Sequence, residues 1–233
     1  MSFVHESRLS DSPFLETVTR GYTVGSGSVI RPAETNWHMV FVKYQGISQA
    51  IVTGPLTTSG VVSFTEGAEI LWVKFKLGTF IPLLPSRTRL NGEMLLPDAS
   101  SKSFWLNGSA WQYPDAEDIE TFVARLVRDQ LLVQDPLVDA ALQGETQELS
   151  ARTLRHRFLQ ATGMSHNHIR QIRRAQQAAA LLAQGNSILD TMDVLGYYDQ
   201  PHLTRALKQW IGRTPAELWQ RDAIAHAVST VEK

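Results

Sequence analysis

The 233-residue chain contains no cysteine. That excludes disulfide bridges, thiolate zinc sites, thiol nucleophiles and sulfur-based redox sensing together. Neither sign of charge dominates, since 22 Lys and Arg face 23 Asp and Glu; a highly charged partner would have to be met by local clustering. No apolar run approaches the roughly 20 residues that span a bilayer, so no membrane association is expected. The opening MSFVHESRLSDSPF also lacks the basic-then-apolar order of a secretory signal, which makes the cytoplasm the expected location. Catalytic fingerprints are missing too. There is no G-x-S-x-G elbow and no P-loop, and TVGSGS reads as a turn rather than a dinucleotide loop. Only His5 and His38 fall in the first 113 residues, and neither belongs to an H-x-H pair of the kind that holds a metal on barrel strands. His166 and His168 do form one, at the start of a helix, where side chains two apart diverge. No metal, no cofactor and no enzymatic activity are expected.

The first 113 residues read as mostly antiparallel β. Segments rich in Val, Ile, Thr and aromatics run over 18–24, 37–44, 49–52, 61–64 and 69–77, broken by GSGS, TGPLTTSG and EGAE. Imperfect alternation from Trp37 to Tyr44 points to a strand covered on both faces. Short, evenly spaced strands leave a small barrel and a sandwich both open. The stretch FIPLLPSRTRLNGEMLLPDASSKSFWLNGSAW reads as short helices mixed with ordered loops. An amphipathic helix is expected over 115–132, with Ile119, Phe122, Val123, Leu126 and Val127 inward and acids complementing its N-terminal dipole. The change in character places a domain boundary near Tyr113-Pro114. It gives 1–113 as a β-rich effector-binding or oligomerisation domain and 114–233 as a helical one, an α+β chain overall.

The most informative stretch is SILDTMDVLGYYDQPHLTRALKQWIG, residues 187–212. Ile188, Met192 and Leu195 recur at helical spacing, Gly196 stops that helix, Asp199 caps the next and Pro201 sits in its first turn. Leu203, Ala206, Leu207 and Trp210 form the inner face of the second helix. Gln200, Pro201, Thr204, Arg205 and Lys208 form the outer one, with His202 on the border. This is the pattern of a helix-turn-helix whose second helix enters a major groove. It occurs twice. Ser150–Gly163 and Asp199–Gly212 align with a cap first, leucine fifth (Leu154, Leu203), a large apolar residue ninth (Phe158, Leu207), glutamine eleventh and glycine last. Ser165 and Thr214 then cap a following helix in each copy. Such repetition implies a duplicated unit, and in the upstream copy Arg152, Arg155 and His156 lie opposite Leu154 and Phe158.

GYYDQPHLTRALKQWIGRTPAEL resembles the C-terminal signature of AraC/XylS-type transcription regulators, and LSARTLRHRFLQATG resembles the first recognition helix of the same domain. The resemblance covers about 118–221. It implies two helix-turn-helix units joined by a linker helix, here about 165–184, binding double-stranded DNA. It also implies a cupin-like effector or oligomerisation domain before them, with a possible homodimer and, for an activator, RNA polymerase as a partner. Carried over by position, the base-facing residues are Arg152, Arg155 and His156 in the first unit and Gln200, Pro201, His202, Thr204 and Arg205 in the second. The missing cysteine excludes the alkyl-accepting repair proteins that share this domain. Two departures stand out: Met192 replaces a small alanine, and the turn from Gly144 to Ser150 is longer than its counterpart from Gly196 to Asp199.

Charge distribution supports this reading. Residues 150–213 carry nine basic side chains and three acids, whereas 114–149 carry nine acids and two arginines. A basic footprint thus lies beside an acidic segment. Arg173, Arg174, Lys208 and Arg213 are the expected phosphate contacts. For an effector, Trp37, His38, Phe41 and Trp72 are the expected pocket residues, and His38 with Lys43 or Lys74 is expected to orient an anionic group. The alternative is a small-molecule-binding signalling module that acts through protein contacts.

Overall fold

The structure is a computed structural model that describes residues 3–84, 90–142, 144 and 150–219. These fall into two compact units. The first holds the described residues of Met1–Val29, Thr35–Leu56 and Ser63–His166, the second those of Ile30–Glu34, Thr57–Val62 and Asn167–Lys233. Contacts therefore divide the chain differently from composition, which changes at 113/114.

The first unit is built on a six-stranded sheet in the order β1 (Phe3–Leu9), β2 (Leu15–Thr23), β7 (Glu69–Phe75), β4 (His38–Tyr44), β5 (Ile47–Thr53) and β9 (Glu93–Leu95). Every pairing in it is antiparallel. Register puts Val18, Val73, Met39 and Val52 in one row across four strands, each at most 2% exposed. Two positions along the same face, Phe41 meets Phe104, Tyr113 and Phe122 at centroid distances of 5.7–6.4 Å. Phe104 lies in β11 (Ser103–Leu106) and Tyr113 directly follows β12 (Ser109–Gln112); with β10 (Asp98–Ser100) these strands make a three-stranded sheet. Phe122 comes from helix α1 (Ile119–Arg128), whose Ile119, Val123 and Leu126 are also buried. Burying such side chains stabilises the unit by about 2–3 kcal/mol each, so this aromatic layer fixes α1 on the sheet.

Mostly antiparallel β followed by helices is the observed fold class, but two local expectations are corrected. Among the described residues, the stretch expected to mix helices and loops is strands and turns, β8 (Thr79–Phe80) through β12. Asn91, Asn107 and Gly108 take positive φ there, which suits tight turns and not helix. Helix α1 is also shorter than 115–132. Asp115 accepts from the backbone N–H groups of Glu117 and Asp118 ahead of it. At the other end Gln130 turns left-handed at φ 57° and the Leu131 N–H returns to the Leu126 carbonyl, closing the helix as a Schellman-type cap.

The rest of the first unit is β13 (Val133–Gln134), paired with β8, and helices α2 (Pro136–Leu142) and α3 (Ala151–Thr162). The second unit holds most of α4 (His166–Ala183), then α5 (Ile188–Leu195) and α6 (Gln200–Trp210), with a further helix opening over 215–219. Its β residues belong to a two-stranded ribbon, β3 (Gly27–Arg31) with β6 (Gly60–Phe64). Along α4, Ile169, Ile172, Ala175, Ala178 and Leu182 form a continuous buried stripe. No helix among the described residues is long and apolar enough to cross a membrane.

Edge strand β1 is tied to α1 by Arg8, which donates to both carboxylate oxygens of Glu120 at 2.6 and 3.0 Å. That bond, opposed by partial burial and reinforced by Ser10, holds the Glu120 carboxyl down from 4.5 to about 2. A carboxyl depressed in the folded state stabilises above its unfolded value and loses that contribution as pH falls through its folded one. Stability should therefore decline between about pH 4.5 and 2 more steeply in the native chain than in Glu120→Gln, as read by denaturant melts across that range.

Candidate nucleic-acid interface

Both helix-turn-helix segments are built by local capping. Ser150 accepts the Thr153 N–H at 3.2 Å at the start of α3, and Gly163 ends it at φ 72°. Ser187 accepts the Asp190 N–H at the start of α5, and Gly196 ends that helix at φ 67°. Asp199 then accepts the His202 N–H at 2.7 Å to open α6, with Pro201 in the first turn. Each cap contributes about 1 kcal/mol, and together they fix where each recognition helix begins. Thr214 and Glu217 add a reciprocal capping box for the helix after α6.

The C-terminal ends are finished differently. The last carbonyls of a helix have no partner within it, and here β-region residues supply the donors. In the first unit the indole N–H of buried Trp37 donates to the Ala161 carbonyl at 3.0 Å, while the Thr162 hydroxyl takes the Phe158 carbonyl. In the second, the Ala33 N–H donates to the Trp210 carbonyl at 2.6 Å and the Ser59 N–H to Gln209 at 2.9 Å. The Ser59 hydroxyl lies 3.3 Å from the Lys208 carbonyl as well. Gln176 of α4 closes the arrangement by donating to the Ala33 carbonyl. Sequence reasoning missed these contacts, because backbone donors leave no composition signal.

The outer face of α3 carries Arg152, Arg155 and His156, all exposed, with Phe158 and Ala161 buried behind them. On α6 Gln200, Pro201, Arg205 and Lys208 are exposed, and Leu203, Ala206, Leu207 and Trp210 are buried. Against this geometry the comparisons with known proteins are informative. A family model described as a helix-turn-helix domain matches residues 146–221. The HTH-type transcriptional regulator RipA of Corynebacterium glutamicum is 38% identical over 89 residues, 37% of this chain and 27% of that protein. Its namesake from Corynebacterium diphtheriae is 33% identical over 101 residues, 42% of this chain and 29% of that protein.

The helix-turn-helix match takes in α3 through α6.

The chain thus spans less than a third of either relative. The solved structure of ToxT from Vibrio cholerae aligns over 94% of this chain and 98% of its own, at 9% identity and a TM-score of 0.45, a likeness from which nothing about this chain follows. Within the matched helix-turn-helix region the remaining candidates are less open. His202 is half-buried, its ring 5.1 Å from that of Tyr197 in a T-shaped contact, and Thr204 and Arg213 are half-buried too. Arg173 is also half-buried. Arg174 lies over the Tyr197 ring at 4.4 Å, where burial pushes the phenol up and the guanidinium pulls it back. Arg157, part of the basic surplus, is bound to Asp135 at 3.0 Å, the residue whose carboxylate also caps α2 through Leu137. His166 meets Phe158 edge to face and His168 lies tilted against Trp210, so the two rings engage different aromatics. Tyr198, 92% exposed in the turn before α6, was missed; an aromatic next to a cap residue was the available signal. The long turn after Gly144 lies mostly outside the described residues.

The four effector candidates do not share one pocket. His38 and Trp72 lie on one face of the sheet, joined by an indole N–H donated to His38 Nδ1 at 2.6 Å. Phe41 points to the other face, and Trp37 is committed to α3. Lys43 pairs with Glu69 and Lys74 with Glu16.

Gly212 shows how tightly α6 is held. It sits at φ 77°, and a Cβ there would meet Ile30 Cγ2 at 2.6 Å and the Ser59 side chain at 3.1–3.2 Å, whereas Gly196, at φ 67°, has open space. Gly196→Ala should cost about 1 kcal/mol from the left-handed conformation alone. Gly212→Ala should cost clearly more, about 2–4 kcal/mol, by adding overpacking to the same strain. Paired urea melts of the two variants measure the difference.

Proposed function

We propose that the chain is a DNA-binding transcription regulator that reads two successive major-groove segments of duplex DNA through α3 and α6. One observation supports this most: two copies of a capped helix, each presenting cationic and polar side chains outward over a buried apolar face. The relatives' printed role as transcriptional regulators agrees with it. Arg152, Arg155 and Arg205 are assigned to base edges, where a guanidinium matches guanine, with His156, Gln200, Pro201, His202 and Thr204 beside them. Lys208, Arg213, Arg173 and Arg174 are assigned to phosphates, which set register without choosing sequence. Residues 1–113 are assigned effector binding or homodimerisation and 114–233 DNA binding. Location in the cytoplasm and, for an activator, contact with RNA polymerase belong to the same reading. The second reading, a signalling module acting through protein contacts, draws on the cavity described below.

Selection of bound sequences from a random duplex pool is the deciding experiment. Two conserved blocks about one DNA turn apart are expected; recovery of unselected sequence, with no salt-dependent binding, favours the signalling module. On a selected site Arg205→Ala should cost about 1–3 kcal/mol and relax preference at one base position. Lys208→Ala should weaken selected and random duplexes alike and flatten the salt dependence. An equal loss on every duplex for Arg205, or a selective one for Lys208, reverses the assignments.

A further inference from the structure

The first unit holds a cavity of about 650 Å³, within the rough 300–1,000 Å³ range of small-molecule sites. It lies where two cross-strand rows reach the open end of the sheet face that α1 covers further along. One row runs Glu6, Arg20, Leu71, Phe41, and the next runs Val4, Tyr22, Glu69, Lys43. The segment from Tyr113 to Glu117 forms the facing wall. Phe41 and Leu71, 6% and 9% exposed, supply an apolar floor, and Tyr22, 51% exposed, stands at its side. Tyr113 is held in place at its far end, its hydroxyl 2.9 Å from the Ser48 carbonyl and 3.0 Å from Asp98. Its ring meets Phe41 edge to face at 6.4 Å.

The rim decides what this space suits. Glu6, Glu69, Asp115 and Glu117 line it beside Arg20, Lys43 and His5, four carboxylates against two Lys and Arg side chains. Both cations are already engaged: Arg20 lies 3.2 Å from Glu117 and 3.5 Å from Glu6, and Lys43 3.4 Å from Glu69. An anion would have to displace these carboxylates, whereas a cation meets oxygens with acceptor capacity left over. Aromatic faces are themselves negative and attract cations.

We propose that this cavity is a binding site for a small organic cation with a flat apolar body, an aryl amine or aryl quaternary ammonium. The body lies on Phe41 and Leu71 between the two tyrosines, and the charged head sits among Glu69, Glu117 and Asp115. The site deepens the effector part of the function proposed above by naming a ligand class.

Calorimetric titration of the full chain, with no DNA present, tests it using benzyltrimethylammonium, benzyl alcohol and phenylacetate. Saturable 1:1 binding of the cation with Kd at or below about 1 mM is expected, with the neutral and anionic probes at least about tenfold weaker. The surface variants Glu69→Gln and Glu117→Gln combined should weaken the cation about tenfold, and Tyr22→Ala about fivefold. Phenylacetate binding as tightly as the cation, or no heat from the cation up to about 10 mM in a chain that still melts cooperatively, overturns the site. A chain that binds selected duplexes yet ignores the cation sinks this inference and leaves the DNA reading standing.

Discussion

The constraint on which this structure turns is the need to satisfy the last carbonyls of α3 and α6. A helix leaves these groups without partners, and a buried orphan costs about 1–3 kcal/mol. The outer faces proposed to read DNA must stay clear of protein, so donors have to come from behind. At α3 the donor is the Trp37 indole; at α6 it is the backbone of Ala33 and Ser59. The β region thereby finishes the helices that the sequence marks as DNA-reading.

Much of the helical part was legible because capping is written in side chains. Ser150, Asp199, Gly163, Gly196 and Gly212 each sit where a local rule requires them, and all five take the expected conformation. The strands from Gly27 to Arg31 and from Gly60 to Phe64 are harder to read. The second was visible as an apolar run, but their pairing and the donors beside them are properties of the backbone. The stretch before Trp111 misled because its prolines and aromatics suit loops and helices alike, while its hairpins depend on a left-handed asparagine that composition does not reveal. The cavity was invisible for another reason: register, not spacing, brings Glu69 opposite Lys43 and Leu71 opposite Phe41.

Charge counting also gains precision from the fold. Arg157 contributes to the basic surplus of the C-terminal region, yet its guanidinium is spent on Asp135, which also caps α2. Arg174 is stacked on Tyr197. Arg157 is thereby taken up in holding α3, and the Tyr197 ring sets where Arg174 sits, whereas Arg152, Arg155 and Arg205 stay exposed. Side chains of one type thus divide between holding the helices and facing outward, and only their surroundings distinguish the two.

Ala33 and Trp37 are four positions apart in an irregular stretch of the kind where insertions ordinarily do little harm. Here each end of that stretch completes a different recognition helix. A residue added between them would change the chain length connecting the two donors, so natural length variation among chains of this fold should avoid this loop and collect in connections that serve no helix end.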